Sequence, residues 1–295
     1  MAFATPRVGL LLVAALTAAG AADRVSLYRT TEGGRSWRRV QAFRREGGAF
    51  GLLGGSLAMR GGQGEALTFL GPGGCSGEWQ VWHSGDGGRS WRAGPRFGAS
   101  DGPGAIAIGA DGATALIAAC ATTAAFAFRV GPGGAVRPVA ALRPRGRLVS
   151  GPAAVSLAPT GWGLLAAVAY MSPTRWGAGR LAVLASRDGG RTWRAVAFRH
   201  SLPAGTPIAL SVPEPNVALL VVGTRTGYAV MATDDGGRLW RRTALPRALG
   251  GATLSMPTAA TGLLLVRETP RGPSVLLETT DGGRSWQHRA LPAGI

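Results

Sequence analysis

TTDGGRSW fills residues 279–286, and four close copies precede it: TTEGGRSW from Thr30, SGDGGRSW from Ser84, SRDGGRTW from Ser186 and TDDGGRLW from Thr233. Successive copies begin 54, 102, 47 and 46 residues apart. The 102-residue step is twice the others. Near its midpoint lies RVGPGGAVRPV (Arg129 to Val139), which aligns with TTEGGRSWRRV at its second glycine, at the arginine after the aromatic position and at its final valine. It reads as a worn sixth copy. Six units of about 46 residues match the period of propeller blades, whose sheets cannot bury their faces alone and must stack on neighbours.

The rest of each unit agrees. An apolar run precedes every intact copy (Val25–Arg29, Gln80–His83, Leu181–Ala185, Tyr228–Ala232 and Ser274–Glu278), and a short strand follows from the Trp. Two more runs lie upstream, such as Ile208–Val212 with Val217–Val222, and Thr253–Met256 with Gly262–Val266. Each unit therefore reads as a four-stranded antiparallel blade, strands a to d, with the repeated phrase as the c–d hairpin turn. The fold class is all-β, a six-bladed β-propeller. One domain spans 1–295, with blades near 1–43, 48–97, 104–142, 150–198, 206–245 and 252–291.

The residue types fit a brace. A carboxylate at Asp86, Asp188, Asp235 or Asp281 can accept the N–H groups of its own turn, glycine supplies positive φ, and Ser or Thr hydroxyls satisfy further backbone groups. Trp37, Trp91, Trp193, Trp240 and Trp286 offer large apolar faces to the sheet. Glu32 replaces Asp in the first copy, Leu239 replaces Ser or Thr in the fourth intact one, and the worn copy carries Gly131 and Val136. A brace tolerates such drift better than a catalytic element does.

The motif S/T-x-D-x-G-x-S/T-W resembles the Asp-box, or bacterial neuraminidase repeat, of sialidases, sortilin-type receptors and photosystem II assembly factors. The resemblance covers nearly the whole chain. It implies the propeller fold, and its assembly-factor branch implies a scaffold for a membrane-protein partner. Its sialidase branch implies a tyrosine nucleophile with a glutamate, an acid/base aspartate and three arginines around the substrate carboxylate. Those parts are scarce here. Of 15 acidic residues, five sit in the boxes and Asp23 adjoins the apolar N-terminal run. The phenols are Tyr28, Tyr170 and Tyr228, and Tyr28 and Tyr228 fall in c strands, away from a central mouth. No Arg-Ile-Pro-like segment precedes the first box. The glycosidase reading, acting on acidic glycans, therefore stands second to a non-enzymatic binding module.

The first 22 residues carry two readings. MAFATPRVGLLLVAALTAAGAAD has the form of a signal peptide ending near Ala22. Yet ATPRVGLLLV (Ala4 to Val13) parallels SMPTAATGLLLV (Ser255 to Val266), which makes it strands a and b of the first blade, the reading favoured here. Cys75 and Cys120 fall in b–c connections of adjacent units, so a disulfide and an oxidising, extracytoplasmic location are expected, two free core thiols being the alternative.

The net charge of +17 comes entirely from 32 arginines, for the chain has no lysine. Such a balance attracts acidic proteins, polyanions or anionic membranes. No helix-turn-helix, zinc finger or RRM pattern accompanies it, so no specific nucleic-acid partner is expected. His83, His200 and His288 lack metal-ligand spacing, and the glycine-rich stretches lack a P-loop lysine, so neither metal nor cofactor is expected. Function then falls to the b–c and d–a loops, at the end of the blades opposite the boxes. There Arg44, Arg45, Arg143, Arg145, Arg147, Arg175, Arg199 and Arg247 form a candidate basic rim, with Tyr170 and Trp176 as an aromatic anchor for a protein partner, the protein itself being a monomer.

Overall fold

The computed structural model describes residues 1–16, 22–44, 52–73, 76–97, 104–118, 124–131, 135–143, 150–171, 179–196, 201–202, 209–224, 227–236, 238–245, 251–267 and 274–291. They form six antiparallel sheets in chain order. The first holds β1 (Ala2–Phe3), β2 (Gly9–Leu16), β3 (Ala22–Thr30) and β4 (Arg38–Arg44), and the second β5 (Leu52–Arg60), β6 (Gln63–Gly73), β7 (Ser76–Ser84) and β8 (Arg92–Phe97). The third holds β9 (Gly104–Gly109), β10 (Gly112–Ala118), β11 (Ala125–Val130) and β12 (Val136–Leu142). The fourth holds β13 (Ser150–Thr160), β14 (Gly163–Met171), β15 (Gly179–Ser186) and β16 (Arg194–Val196), with a short β17 (Ser201–Leu202) also paired to β15. β18 (Ala209–Glu214), β19 (Val217–Thr224), β20 (Gly227–Thr233) and β21 (Arg241–Leu245) make the fifth; β22 (Gly251–Ser255), β23 (Gly262–Arg267), β24 (Ser274–Thr279) and β25 (Gln287–Arg289) the sixth. This is a six-bladed β-propeller of four-stranded blades, and the worn copy joins β11 to β12 as the intact copies join their own c and d strands.

Successive residues of a strand point to opposite faces of its sheet, and in strands such as β14 and β19 both faces are buried. Leu220 and Val222 of β19 enter a core shared with the fourth blade, while Leu219 and Val221 enter one shared with the sixth. β14 behaves likewise: Leu165, Ala167 and Ala169 face the fifth blade, and Leu164, Ala166 and Val168 the third. The strands consequently read as continuous apolar runs, and the hydrophobic core is a set of walls between blades.

Serine hydroxyls stitch the walls at the inner strands. Ser56 Oγ accepts the Ile106 N–H, Ser156 Oγ that of Leu210, and Ser211 Oγ that of Met256. The ring closes the same way, since Phe3 donates its N–H to Ser255 Oγ at 3.1 Å across 252 residues of sequence.

Candidate functional site

The box turns are built alike. In the second blade, Asp86 Oδ1 accepts N–H groups of Arg89 and Ser90 and the Ser84 hydroxyl, while Oδ2 accepts the Ser90 hydroxyl at 2.6 Å. Ser84 Oγ in turn accepts the Gly88 N–H, and Trp91 Nε1 donates to the Gly88 carbonyl. The fourth and sixth blades repeat the carboxylate bonds around Asp188 and Asp281. Hydroxyl donors from Thr192 and Ser285, then their backbone N–H groups, hold both carboxyls at about 2, below the ordinary 3.8. The carboxylates are thus occupied by their own turns, so they are spent as structure.

The departures have physical consequences. Glu32 is one methylene too long for the turn's amides, and its carboxylate accepts the Ser36 hydroxyl instead, at 2.6 Å. At the fifth blade Leu239 supplies an N–H to Asp235 but no hydroxyl. The worn turn has no carboxylate and closes with Gly131 N–H to the Ala135 carbonyl at 2.9 Å. Gly88 sits at φ +80°, and a Cβ there would lie 2.8 Å from Leu10 Cδ2 of the preceding blade. The second glycine of the box is therefore a seam residue as well as a turn residue.

The inner strands surround a central cavity of about 250 Å³, lined by Gly55–Leu57, Gly104–Ile106, Val155–Leu157, Ala209–Leu210 and Ala252–Leu254, with Met1, Leu12 and Val25 beside them. Its described walls present aliphatic side chains, backbone and the hydroxyls of Ser56, Ser156 and Thr253. Among the described residues no group of three or more His, Cys, Asp and Glu could hold a metal ion.

The antiparallel topology puts the a–b and c–d turns at one end of the blades and the remaining loops at the other. Of the predicted rim, Arg44 closes β4 and Arg143 follows β12, both at the end away from the boxes, with Arg143 exposed. Arg45, Arg145, Arg147, Arg175, Trp176, Arg199 and Arg247 lie outside the described residues, as do Cys75 and Cys120. Tyr170 corrects the sequence reading. It is 1% exposed within the wall between the third and fourth blades, and its hydroxyl donates to the Leu142 carbonyl at 3.1 Å. Burial also pushes its phenol above the ordinary range. It anchors the core and is closed to a partner.

No protein-family model matches the chain, and no curated protein matches it in sequence. Solved structures match in shape. A Hadza microbial sialidase shares 16% identity over 90% of this chain and 59% of its own, with a TM-score of 0.57. The chain thus spans little more than half of that enzyme. A six-bladed fucose-binding lectin from Aleuria aurantia aligns over 98% of both chains at 12% identity and a TM-score of 0.57. An α-L-arabinofuranosidase from Fusarium graminearum aligns over 93% of this chain and 92% of its own, at 10% identity and 0.58. What they share with this chain is the propeller fold. Two are enzymes and one is a lectin, so the shape carries no single function.

Sequence reasoning missed the seam serines. Their one signal is a Ser in the inner strand of four units, visible only once the blades are aligned.

Proposed function

We propose that this protein is a non-enzymatic propeller scaffold, at work in the cell envelope or outside the cell, that holds a protein partner with the loops opposite the box turns. The observation that carries the reading is the chemistry of the central cavity. A propeller glycosidase would need carboxylates, and for sialosides a phenol and arginines, converging on such a mouth. The described walls here offer aliphatic and hydroxyl groups instead. Tyr170 is committed to Leu142, and Glu65 is paired with His83 at 2.7 Å between β6 and β7. The box carboxylates are saturated by their turns.

Loops on a rigid ring suit recognition, and the partner expected for the arginines of this end is acidic or membrane-associated protein. Two measurements test the reading. A fluorogenic sialoside should be left unhydrolysed by the purified chain. Turnover that disappears on substituting a Glu or Tyr at the end opposite the boxes would overturn the scaffold and restore hydrolysis of acidic glycans. Reversing Arg143, Arg145 and Arg147 to Glu should abolish capture of the partners recovered by the unaltered protein. Unchanged recovery would remove the basic rim from the account.

A further inference from the structure

The described residues expose two large hydrophobic side chains, Trp162 at 37% and Leu239 at 75%. Both lie at the box end, on adjacent blades: Trp162 in the β13–β14 turn and Leu239 in the β20–β21 box. They belong to one continuous strip. Trp162 Nε1 donates to the Pro215 carbonyl in the turn between β18 and β19, and the next residue, Asn216, accepts the Gly236 N–H of the box that carries Leu239. The Arg187 guanidinium lies 5.6 Å above the Trp162 ring. Exposed Arg191 and Arg238 flank the strip, and Arg35, Arg89 and Arg284 occupy the same box position in other blades.

Leu239 is the telling residue. Its counterparts Ser90, Thr192 and Ser285 each donate a hydroxyl to the box carboxylate, at 2.5–2.6 Å. Leu239 forgoes that bond and puts an isobutyl group into water, so the fold gains nothing from it.

We propose that the box end of the propeller docks on an anionic membrane surface, with Leu239 inserted among the acyl chains, Trp162 at the headgroup level and the box arginines on lipid phosphates. A leucine at a turn tip, an amphipathic indole beside it and long cationic side chains around them are the parts of an interfacial anchor. The surrounding carboxylates lower the net positive charge of this end. Asp86, Asp188, Asp235 and Asp281 stay ionised within their turns, and Asp234 is paired with Arg241 at 2.8 Å. Glu32, Asp111 and Glu214 also lie here, so affinity depends on the leucine as well as on charge. Lipid phosphate is favoured over an acidic protein because the exposed apolar groups sit at one tip with exposed Arg187, Arg191 and Arg238 around them, which suits one layer of acyl chains beneath a layer of phosphates. The loops opposite would then face away from the membrane.

The test is co-sedimentation of the full chain with vesicles of neutral phosphatidylcholine, alone or with about one third phosphatidylglycerol, alongside Leu239→Ser and the double variant Arg191→Gln/Arg238→Gln. The unaltered protein should pellet with the anionic vesicles only. Leu239→Ser should weaken that binding about tenfold, the worth of burying one leucine. It should also melt no lower than the parent, since the serine restores the missing hydroxyl bond. The arginine pair should lose a further severalfold at low salt and less at high salt. Binding that is indifferent to lipid charge, or equal for Leu239→Ser and the parent, overturns the proposal. So does sedimentation showing a self-associated parent and a monomeric Leu239→Ser without vesicle binding, which would make the strip a contact between copies.

Discussion

At Asp188 four donors from Ser186, Arg191 and Thr192 converge on one half-buried carboxylate, and its depressed pKa records how strongly the folded turn prefers the charged form. A folded value near 2 against an ordinary 3.8 means stabilisation that is complete above about pH 4 and is lost as pH falls through 2. Asp281 follows the same course. Thr192→Val removes the largest cause of the shift, so this variant should melt a few degrees lower at pH 7 and converge with the parent near pH 2, read by circular dichroism across pH. Parallel curves at every pH would separate the hydroxyl from the carboxylate's charge. The role of these residues was legible in the sequence because a turn is local and its chemistry lies within eight residues. Tyr170 was not legible. Both faces of β14 are buried, so alternation cannot say whether its aromatic reaches solvent.

Strands such as β14 and β19 show what the blades supply to one another. Leu220 is fully buried between the fourth and fifth blades, and Leu220→Ala should cost about 2–5 kcal/mol, measured by denaturant unfolding. Ser211→Ala leaves the Met256 amide without its partner and should cost about 1 kcal/mol. No measurable loss at Ser211 would remove the hydroxyl seam from the account of how the blades are joined. The elements themselves could be read from spacing, since turns every 46 residues or so and runs between them need no knowledge of the neighbours. The seam could not, because Ser is common and its acceptor role appears only when residues far apart in sequence are brought side by side. The outermost strands add a further element-scale feature. Arg38, Arg39, Arg92, Arg137, Arg194, Arg241 and Arg242 are exposed on them, and charge on an edge strand opposes pairing with another sheet. Part of the +17 charge thus has a structural use that composition alone does not show.

Across the whole molecule, five intact boxes and one worn box sit at one end of a ring whose walls are shared between neighbours. A repeated brace contributes to one cooperative structure and tolerates the drift seen at Glu32, at Leu239 and in the worn copy. The solved structures that share this ring include hydrolases and a lectin, so the ring by itself carries no single function. The distinction between brace and site is open to one calorimetric measurement on the full chain with Asp86, Asp188 and Asp281 changed to Ala, singly and together. The account predicts a single melting transition that falls by a similar few degrees for each substitution and by roughly their sum for the triple variant, the three turns being distant and equivalent. One substitution that leaves melting untouched while altering turnover or partner capture would contradict it, and would make that box a site.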